Sequence, residues 1–185
     1  MNLSVARAYS IWFTGLSGSG KTTLAIEFRK ILAENDLFTI IMDGDEIRKG
    51  LNSNLGFTEV DRLENIRRVA EVSKLLVNNG IITINAFICP TNNMRNLAKD
   101  IVGDLNFQLV YLDAPIDICE KRDTKGMYKK ARNGELKNFS GISAPFEKPE
   151  NPDLILNTST NDIRECTIIL EKWIRPLISV LKVKL

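Results

Sequence analysis

The sequence predicts one α/β domain, 1–185, in which helices flank a parallel five-stranded sheet. Three observations support this fold class. Short apolar runs alternate with longer segments in which apolar residues recur at helical spacing. A glycine-rich turn at 15–22 joins the first apolar run to the first helical segment. The chain has 185 residues, 44% of them hydrophobic, and can therefore bury the core of a single domain.

The first half of the chain supplies three strands and two long helices. The strands are predicted at 10–14, 38–42 and 81–87. The run at 38–42 is continuous rather than alternating, which is typical of a strand covered by helices on both faces. Helices are predicted at 22–34 and 58–77, because apolar or small residues recur there at spacings of three and four. The second of these helices opens with a capping pattern, Thr-Glu-Val-Asp, and stops at Asn-Asn-Gly.

The second half supplies two more strands and two more helices. A helix is predicted at 94–102 and a strand at 107–112, which ends at Asp-Ala-Pro. The last strand is predicted at 154–156. A last helix follows at 161–173, and Pro176 should end or kink it. The alternation of strand and helix indicates that the strands are parallel.

A long basic segment interrupts this alternation at 123–152. Its apolar periodicity fades, lysine and arginine cluster, and glycine and proline recur. So long a segment is uncommon as a simple connection in a compact domain, and it predicts a lid over a binding site, at about 123–146. Phe139 would be exposed on this lid, where a flat base is a suitable partner for it.

Composition limits the classes of function. There are 25 basic and 23 acidic residues, so the net charge of +2 gives no argument for a nucleic-acid partner. The sequence has neither a signal-peptide pattern nor a membrane-spanning apolar run, and we expect a cytoplasmic protein with no membrane partner. Cys89, Cys119 and Cys166 are widely spaced and predicted to be buried thiols. Histidine is absent, which removes imidazole from any catalytic proposal.

The segment 15–22 reads GLSGSGKT and fits the phosphate-binding spacing G-x-x-x-x-G-K-[ST]. Its glycines let successive N–H groups point at one anion, at the start of a helix. Lys21 would reach the phosphates and Thr22 a magnesium ion. A flexible Gly/Ser turn is the alternative, but the predicted strand before and helix after favour a nucleotide site. The predicted ATP-binding residues here are Gly15, Ser17, Gly18, Ser19, Gly20, Lys21, Thr22 and Thr23.

Asp43 and Asp45 follow the second strand at its carboxyl end, where open α/β sheets bind ligands. One carboxylate here can hold a magnesium-bound water, and the other can accept a hydrogen bond from an attacking hydroxyl. A helix N-cap with a solvated carboxylate is the alternative. Arg62 and Asn65 lie three residues apart on one predicted helical face and can grip an anionic, base-bearing ligand. A solvated charged face explains them equally well.

Several segments, taken in order, resemble one enzyme family. They read GLSGSGKTT, DGDEIRKGLN, LGF, DRLENIRR, RDTKGMYKKAR and FSGI, between 11 and about 152. This series is similar to adenylylsulfate kinase, also called adenosine 5′-phosphosulfate kinase. The resemblance implies a P-loop kinase fold and ATP-dependent phosphorylation of the 3′-hydroxyl of adenosine 5′-phosphosulfate. It also implies Mg2+, a homodimer and a possible sulfate adenylyltransferase partner.

The resemblance implies roles for individual residues. The catalytic residues would be Lys21, Asp43 and Asp45, and the metal ligands Thr22 and Asp43. The ATP contacts outside the glycine-rich loop would be Arg122 and Thr158. The contacts of the sulfated substrate would be Asp45, Arg48, Asn52, Phe57, Arg62, Asn65, Ile88, Lys125 and Phe139. The two phenylalanines would sandwich its adenine, and Asp45 would orient the attacking hydroxyl.

The sequence departs from the family pattern next to the third strand. Members commonly have Ile-Ser-Pro-Tyr where this chain has Ile-Cys-Pro-Thr at 88–91, and Asn92 stands where many have arginine. The family serine has been discussed as a phosphoryl carrier, but Cys89 cannot form that oxygen ester. We therefore expect direct, in-line transfer. Two alternatives remain: a kinase of this fold acting on another nucleotide-linked anion, such as a cytidine diphosphate derivative, and a non-catalytic nucleotide-binding regulator of a sulfurylase.

Overall fold

A sheet of five parallel strands forms the centre of the molecule. The computed structural model describes residues 8–182. The strands are β1 (Ser10–Thr14), β2 (Thr39–Asp43), β3 (Ile82–Ala86), β4 (Phe107–Asp113) and β5 (Leu154–Asn157). Their spatial order is β2-β3-β1-β4-β5, and every pairing is parallel. The predicted fold class is therefore confirmed, and each predicted strand end lies within one residue of the observed one.

Helices cover both faces of this sheet. They are α1 (Lys21–Glu34), α2 (Gly44–Ile47), α3 (Glu59–Val77), α4 (Asn92–Val102), α5 (Ile116–Arg122), α6 (Met127–Arg132) and α7 (Ile163–Lys182). Helices α1 and α7 pack on one face of the sheet, and α3 and α4 on the other. In the part of the chain that the structure describes, no helix is both long and apolar enough to cross a membrane.

Strand β1 is buried along its whole length, and its side chains belong to the apolar cores on both faces of the sheet. Ile11 and Phe13 pack against α1 and α7, whereas Trp12 between them packs against α3 and α4. Strand β2 forms one edge of the sheet and is mostly half-buried, and Phe38 just before it is 70% exposed. Helices nevertheless cover both faces of β2, as the continuous apolar run predicts, because Ile41 packs with α1 and α7 whereas Ile40 and Met42 pack with α3 and α4.

Two short helices in the second half were not predicted. Helix α5 directly follows β4, and α6 lies within the segment that was expected to be an irregular lid. The N-terminal turn of α6 is stabilised by a side chain outside the helix: Asp123 accepts hydrogen bonds from the backbone N–H groups of Tyr128 (3.0 Å) and Lys129 (3.1 Å). Helices of six or seven residues are too short for apolar periodicity to reveal them.

Pro176 does not end the last helix. Helix α7 begins at Ile163, two residues later than predicted, and continues through Pro176 to Lys182. Pro176 is exposed, while Ile174 and Ile178 on either side of it are buried in the core, so tertiary packing carries the helix past the proline. The expectation that the first residues carry no signal peptide falls largely on residues 1–7, which lie outside the described residues.

A buried polar cluster joins α3 to the centre of the sheet. The Asn85 amide nitrogen donates to Ser10 Oγ (2.9 Å), and its oxygen accepts from Ser73 Oγ in α3 (3.0 Å). Ser10 Oγ also accepts from Trp12 Nε1 (2.8 Å) and Thr83 Oγ1 (3.0 Å). These polar groups are satisfied by one another, and the cluster fixes the position of α3 on β1 and β3.

Replacing Asn85 by alanine should lower the free energy of unfolding by about 1–3 kcal/mol, because Ser73 and Ser10 lose a buried partner. Urea denaturation of wild type and variant measures the difference. Asn133→Ala is a suitable control, since its exposed side-chain amide donates a hydrogen bond to the surface carboxylate of Glu135 and lies outside this cluster. Equal losses of stability in the two variants would contradict this account.

Candidate functional site

The glycine-rich loop runs from β1 to α1 in a conformation that requires glycine. Gly18 (φ 76°) and Gly20 (φ 95°) adopt left-handed backbone angles. A Cβ atom on Gly18 would lie only 2.9 Å from the carbonyl oxygen of Cys119 in α5. The loop is therefore packed closely on α5, and side chains are excluded from its tightest point.

Lys21, the first residue of α1, folds back over this loop. Its Nζ donates hydrogen bonds to the carbonyl oxygens of Gly15 (2.9 Å) and Leu16 (2.7 Å). Burial, which removes the ammonium from water, lowers the pKa of Lys21 to about 8. The site thus holds a partly desolvated cation beside the loop, which an anion would stabilise.

Asp43, at the end of β2, has two partners. Its Oδ2 accepts a hydrogen bond from Thr22 Oγ1 (2.7 Å), and its Oδ1 accepts one from the backbone N–H of Asp45 (2.9 Å). Asp43 is therefore the N-cap of α2, as the alternative interpretation had it, and it also contacts the phosphate loop. A hydroxyl and a carboxylate so close together are hard oxygen donors of the kind that Mg2+ binds together with phosphate oxygens.

Asp45 projects from the first turn of α2 and forms an ion pair with Lys125. Both side chains are more than half exposed. Lys125 belongs to the segment predicted as the lid, so this ion pair joins the lid to the edge of the sheet. An exposed ion pair contributes little stability and can exchange readily for contacts with a ligand.

A single cleft of about 1020 Å³ contains most of the predicted site residues. It extends from the phosphate loop past Asp43 and Asp45 to the start of α3, and the segment predicted as the lid forms one side. The predicted residues that line it are Ser17, Gly18, Ser19, Gly20, Lys21, Thr22, Thr23, Asp43, Asp45, Arg48, Phe57, Arg62, Asn65, Ile88, Arg122, Lys125, Phe139 and Thr158.

Two predicted residues, Gly15 and Asn52, do not line the cleft. Gly15 faces Lys21 through its carbonyl oxygen. Asn52 is fully buried, and its amide nitrogen donates to the side-chain oxygen of Asn65 (2.9 Å). The prediction that Asn52 contacts a ligand is therefore corrected: Asn65 lies between Asn52 and the cleft and is positioned by it.

One wall of the cleft combines an aromatic ring with two cations. The guanidinium carbon of Arg48 lies 4.3 Å from the centroid of the Phe57 ring, and that of Arg62 lies 5.6 Å from it. Burial lowers the pKa of both arginines, and the charge of Arg48 lowers that of Arg62 further. Their mutual repulsion makes this wall a favourable place for an anion. The Phe57 ring itself is half-exposed.

Phe139 is not exposed, contrary to the prediction. Only 8% of it is accessible, and its ring meets Tyr128 edge-on with 5.0 Å between centroids. The segment predicted as the lid forms a small apolar core together with Ala114 and Cys119, which removes the need for a ligand to cover this ring. Phe139 still borders the cleft from the lid side.

Arg122 connects the phosphate loop with the end of β5. Its guanidinium donates to the carbonyl oxygens of Gly18 (3.3 Å) and Thr158. Thr158 Oγ1 in turn donates to the carbonyl oxygen of Ser19 (3.0 Å). Arg122 and Thr158, the two predicted ATP contacts outside the glycine-rich loop, thus lie together beside it.

The three cysteines are free and buried, as expected. Cys89 borders the cleft with an unusual backbone angle (φ 42°). Burial raises the pKa of its thiol to about 12. The group is therefore a neutral thiol at physiological pH, and the thiolate, which is the nucleophilic form, is scarce.

Other cleft residues were not singled out from the sequence. Tyr128 and Asn138 come from the lid, and Arg164 from the start of α7. Tyr128 lies within the motif RDTKGMYKKAR, so a signal existed for it. The carbonyl of Asn138 accepts a hydrogen bond from Arg62 (2.6 Å), which no pattern in the sequence indicates.

Comparison with known proteins shows to which family this chain belongs. A family model described as adenylylsulphate kinase matches residues 7–157. The adenylyl-sulfate kinase of Bacteroides fragilis is 54% identical over 173 residues, which are 94% of this chain and 86% of that protein. The Mycobacterium tuberculosis APS kinase, solved in complex with AMPPNP and APS, has a TM-score of 0.82 at 38% identity and covers 95% of this chain and 98% of its own.

A hexameric APS kinase from Thiobacillus denitrificans gives a TM-score of 0.70 at 26% identity, over 94% of this chain and 30% of that one. These similarities extend over nearly the whole described chain, and they agree with the parallel sheet, the phosphate loop and the cleft. The resemblance inferred from the sequence motifs is therefore confirmed. The chain has the P-loop kinase fold and belongs to the adenylyl-sulfate kinase family.

Proposed function

We propose that this chain transfers the γ-phosphoryl group of ATP to the 3′-hydroxyl of adenosine 5′-phosphosulfate, giving 3′-phosphoadenosine 5′-phosphosulfate and ADP. The observation that carries the proposal is one cleft that joins a phosphate loop to a cationic aromatic wall. Phe57, Arg48 and Arg62 form that wall. A ring beside two guanidinium groups suits a ligand that combines a base with an anion.

The phosphate loop is the donor half of the site. Backbone N–H groups of 17–22 would surround the phosphates of ATP, and Lys21 would neutralise charge on the β and γ phosphates. Arg122 and Thr158, which are hydrogen-bonded to each other beside the loop, would border the ATP base. Their contacts with Gly18 and Ser19 support this assignment, because they place both residues at the same end of the loop.

Thr22 and Asp43 would hold the magnesium ion that accompanies ATP. Their oxygen atoms are 2.7 Å apart, next to the loop that would hold the phosphates. When bound, the ion would neutralise charge on the transferring phosphoryl group. Asp43 also keeps Asp45 in place by capping α2, so that one residue serves the metal site and the acceptor site.

The acceptor would lie between Asp45 and the Phe57 wall. Asp45 would leave its ion pair with Lys125 and accept a hydrogen bond from the 3′-hydroxyl, orienting it in line with the γ-phosphorus. Lys125 would then be free to contact the acceptor, and Phe139 and Phe57 would border its adenine. The transition state of phosphoryl transfer is loose, so orientation matters more than early removal of the proton.

Direct transfer is the mechanism that the cleft favours. Within 88–91, Cys89 is the cleft residue that could carry the phosphoryl group covalently. Its buried thiol stays protonated, however, and is therefore a poor nucleophile. Thr91 and Asn92, which also depart from the family pattern, do not line the cleft. Thr91 caps α4 and Asn92 accepts a hydrogen bond from Arg95 (2.6 Å). These two departures give no reason for a different acceptor.

The remaining expectations concern the surroundings of the enzyme. We propose a homodimer in the cytoplasm. The hexameric relative supports self-association in this family, and the three buried, free thiols suit a reducing compartment. Sulfate adenylyltransferase remains a predicted partner, and this prediction is supported by the family resemblance alone.

The acceptor should be identified by ATP consumption. We expect rapid ADP formation with adenosine 5′-phosphosulfate, and only background rates with a cytidine diphosphate derivative or without acceptor. ADP release and formation of the 3′-phosphorylated product, measured together, test this. Faster turnover with the cytidine derivative would select the other acceptor class, and nucleotide binding without any turnover would indicate a regulatory protein.

Asp45→Asn should lower kcat by about 100-fold or more, because the hydroxyl loses the carboxylate that orients it and accepts its proton. The KM for ATP should change little, since Asp45 is not part of the phosphate loop. Steady-state kinetics measure both constants. Glu46→Gln is the matched control: it neutralises the adjacent, exposed carboxylate, which pairs with Lys49 (2.6 Å), and should leave kcat within about twofold. An unchanged kcat in Asp45→Asn excludes the assigned role.

The affinity for the ATP analogue AMPPNP should depend on the protonation of Lys21. The free group has a pKa of about 8, and bound phosphate raises that pKa by stabilising the ammonium. Affinity should therefore be constant below about pH 8 and fall above it, by up to about tenfold per pH unit. Calorimetry between about pH 7 and pH 9, in buffers of different ionisation enthalpy, measures affinity and proton uptake. Lys30→Gln, which removes an exposed lysine of the same helix, should keep the profile. A flat profile in the wild type would contradict the role of Lys21.

A further inference from the structure

Tyr128 has no role in the function proposed above, yet it connects the lid with the phosphate loop. It lies in α6, and only 1% of it is accessible. Its hydroxyl donates a hydrogen bond to the carbonyl oxygen of Ser17 (3.0 Å). Because Ser17 belongs to the phosphate loop, the position of α6 depends on the position of the donor half of the cleft.

The ring of Tyr128 contacts the acceptor half. It meets the Phe139 ring edge-on, at 5.0 Å between centroids and 81° between planes. Both residues belong to the lid core, a buried cluster made up of Ala114, Cys119, Tyr128, Ala131 and Phe139. The lid also approaches the loop at Gly141, where a Cβ atom would lie 2.8 Å from Leu16. Phe139 therefore cannot shift far without moving Tyr128.

The residues just before α6 complete the connection. Asp123 holds the first turn of α6 through the N–H groups of Tyr128 and Lys129. Lys125 lies between Asp123 and this turn, and it contacts Asp45 from there. When α6 is docked on the phosphate loop, Lys125 and Phe139 are both presented to the acceptor half.

We propose that Tyr128 is a positioning residue that couples the two nucleotide sites. Its hydroxyl docks α6 on the phosphate loop, and its ring fixes Phe139 beside the acceptor. This inference rests on the proposed function, since it requires that ATP and adenosine 5′-phosphosulfate occupy the two halves of the cleft.

The coupling follows from a shared lid position. A triphosphate bound in the loop would hold the Ser17 carbonyl still, and so favour the docked position of α6. An acceptor bound beside Phe139 would favour the same position. Each ligand should therefore increase the affinity for the other, and by an equal factor, because equilibrium coupling is reciprocal.

Tyr128→Phe tests the inference, because it removes the hydroxyl and keeps the ring of the lid core. The affinity for AMPPNP is measured by calorimetry with and without saturating adenosine 5′-phosphosulfate, and the affinity for the latter with and without AMPPNP. We expect each ligand to tighten the other by about three- to tenfold in the wild type, the range that one buried hydrogen bond supplies. The factor should fall close to one in the variant.

Tyr111→Phe is the matched control. Tyr111 is another buried tyrosine, its hydroxyl donates to Asp113 (2.9 Å), and it does not line the cleft. This variant should keep the wild-type coupling factor, whatever its melting temperature. A purely structural role for Tyr128 would lower stability or both affinities and leave the factor unchanged, which would overturn the inference.

The same measurements separate the inference from the proposed function. A wild type that binds AMPPNP but not adenosine 5′-phosphosulfate contradicts the proposed function and the inference with it. A wild type that binds both ligands without mutual enhancement contradicts the inference alone. Loss of coupling in Tyr128→Phe and its retention in Tyr111→Phe support both.

Discussion

The orientation of the phosphate-loop backbone is the constraint on which the cleft depends. N–H groups can converge on one anion only if the neighbouring carbonyl groups point away from it, and those carbonyls need donors of their own. Along 15–19, Lys21 binds the first two carbonyl oxygens and Tyr128 the third. Arg122 binds the fourth and Thr158 the fifth. Helices α1, α5 and α6 and the end of β5 are thus all positioned by a single strip of backbone.

The acceptor half is held less firmly than this strip. Among the described residues, its polar contacts with the segment predicted as the lid include the ion pair between Asp45 and Lys125, both exposed, and the hydrogen bond from Arg62 to the carbonyl of Asn138. Such contacts are weak individually, and water or a ligand can replace them. These contacts can therefore open on the acceptor side without disturbing the phosphate loop, which suits a site that must admit a second nucleotide.

The sequence predicted those features of the fold and the site that are determined by residues close together in the chain. The spacing of Gly18, Gly20 and Lys21 predicts a loop whose geometry is set within a few residues, and strands on a parallel sheet are visible as apolar runs. Helix α6 was missed because it is too short to show apolar periodicity. Its N-terminal turn is stabilised instead by a side chain outside the helix, that of Asp123. The burial of Phe139 could not be predicted either, since it depends on a ring eleven residues earlier in the chain that meets it only in the folded lid.

The complete burial of β1 has a consequence for hydrogen exchange. Its amides pair with strands on both sides and have no path to solvent short of global unfolding, so they should be among the last in the protein to exchange. The lid helix and α2 depend on a few side-chain contacts and can open locally. The molecule thus pairs a donor site anchored in its slowest-exchanging strand with an acceptor site built on segments that open and close far more often.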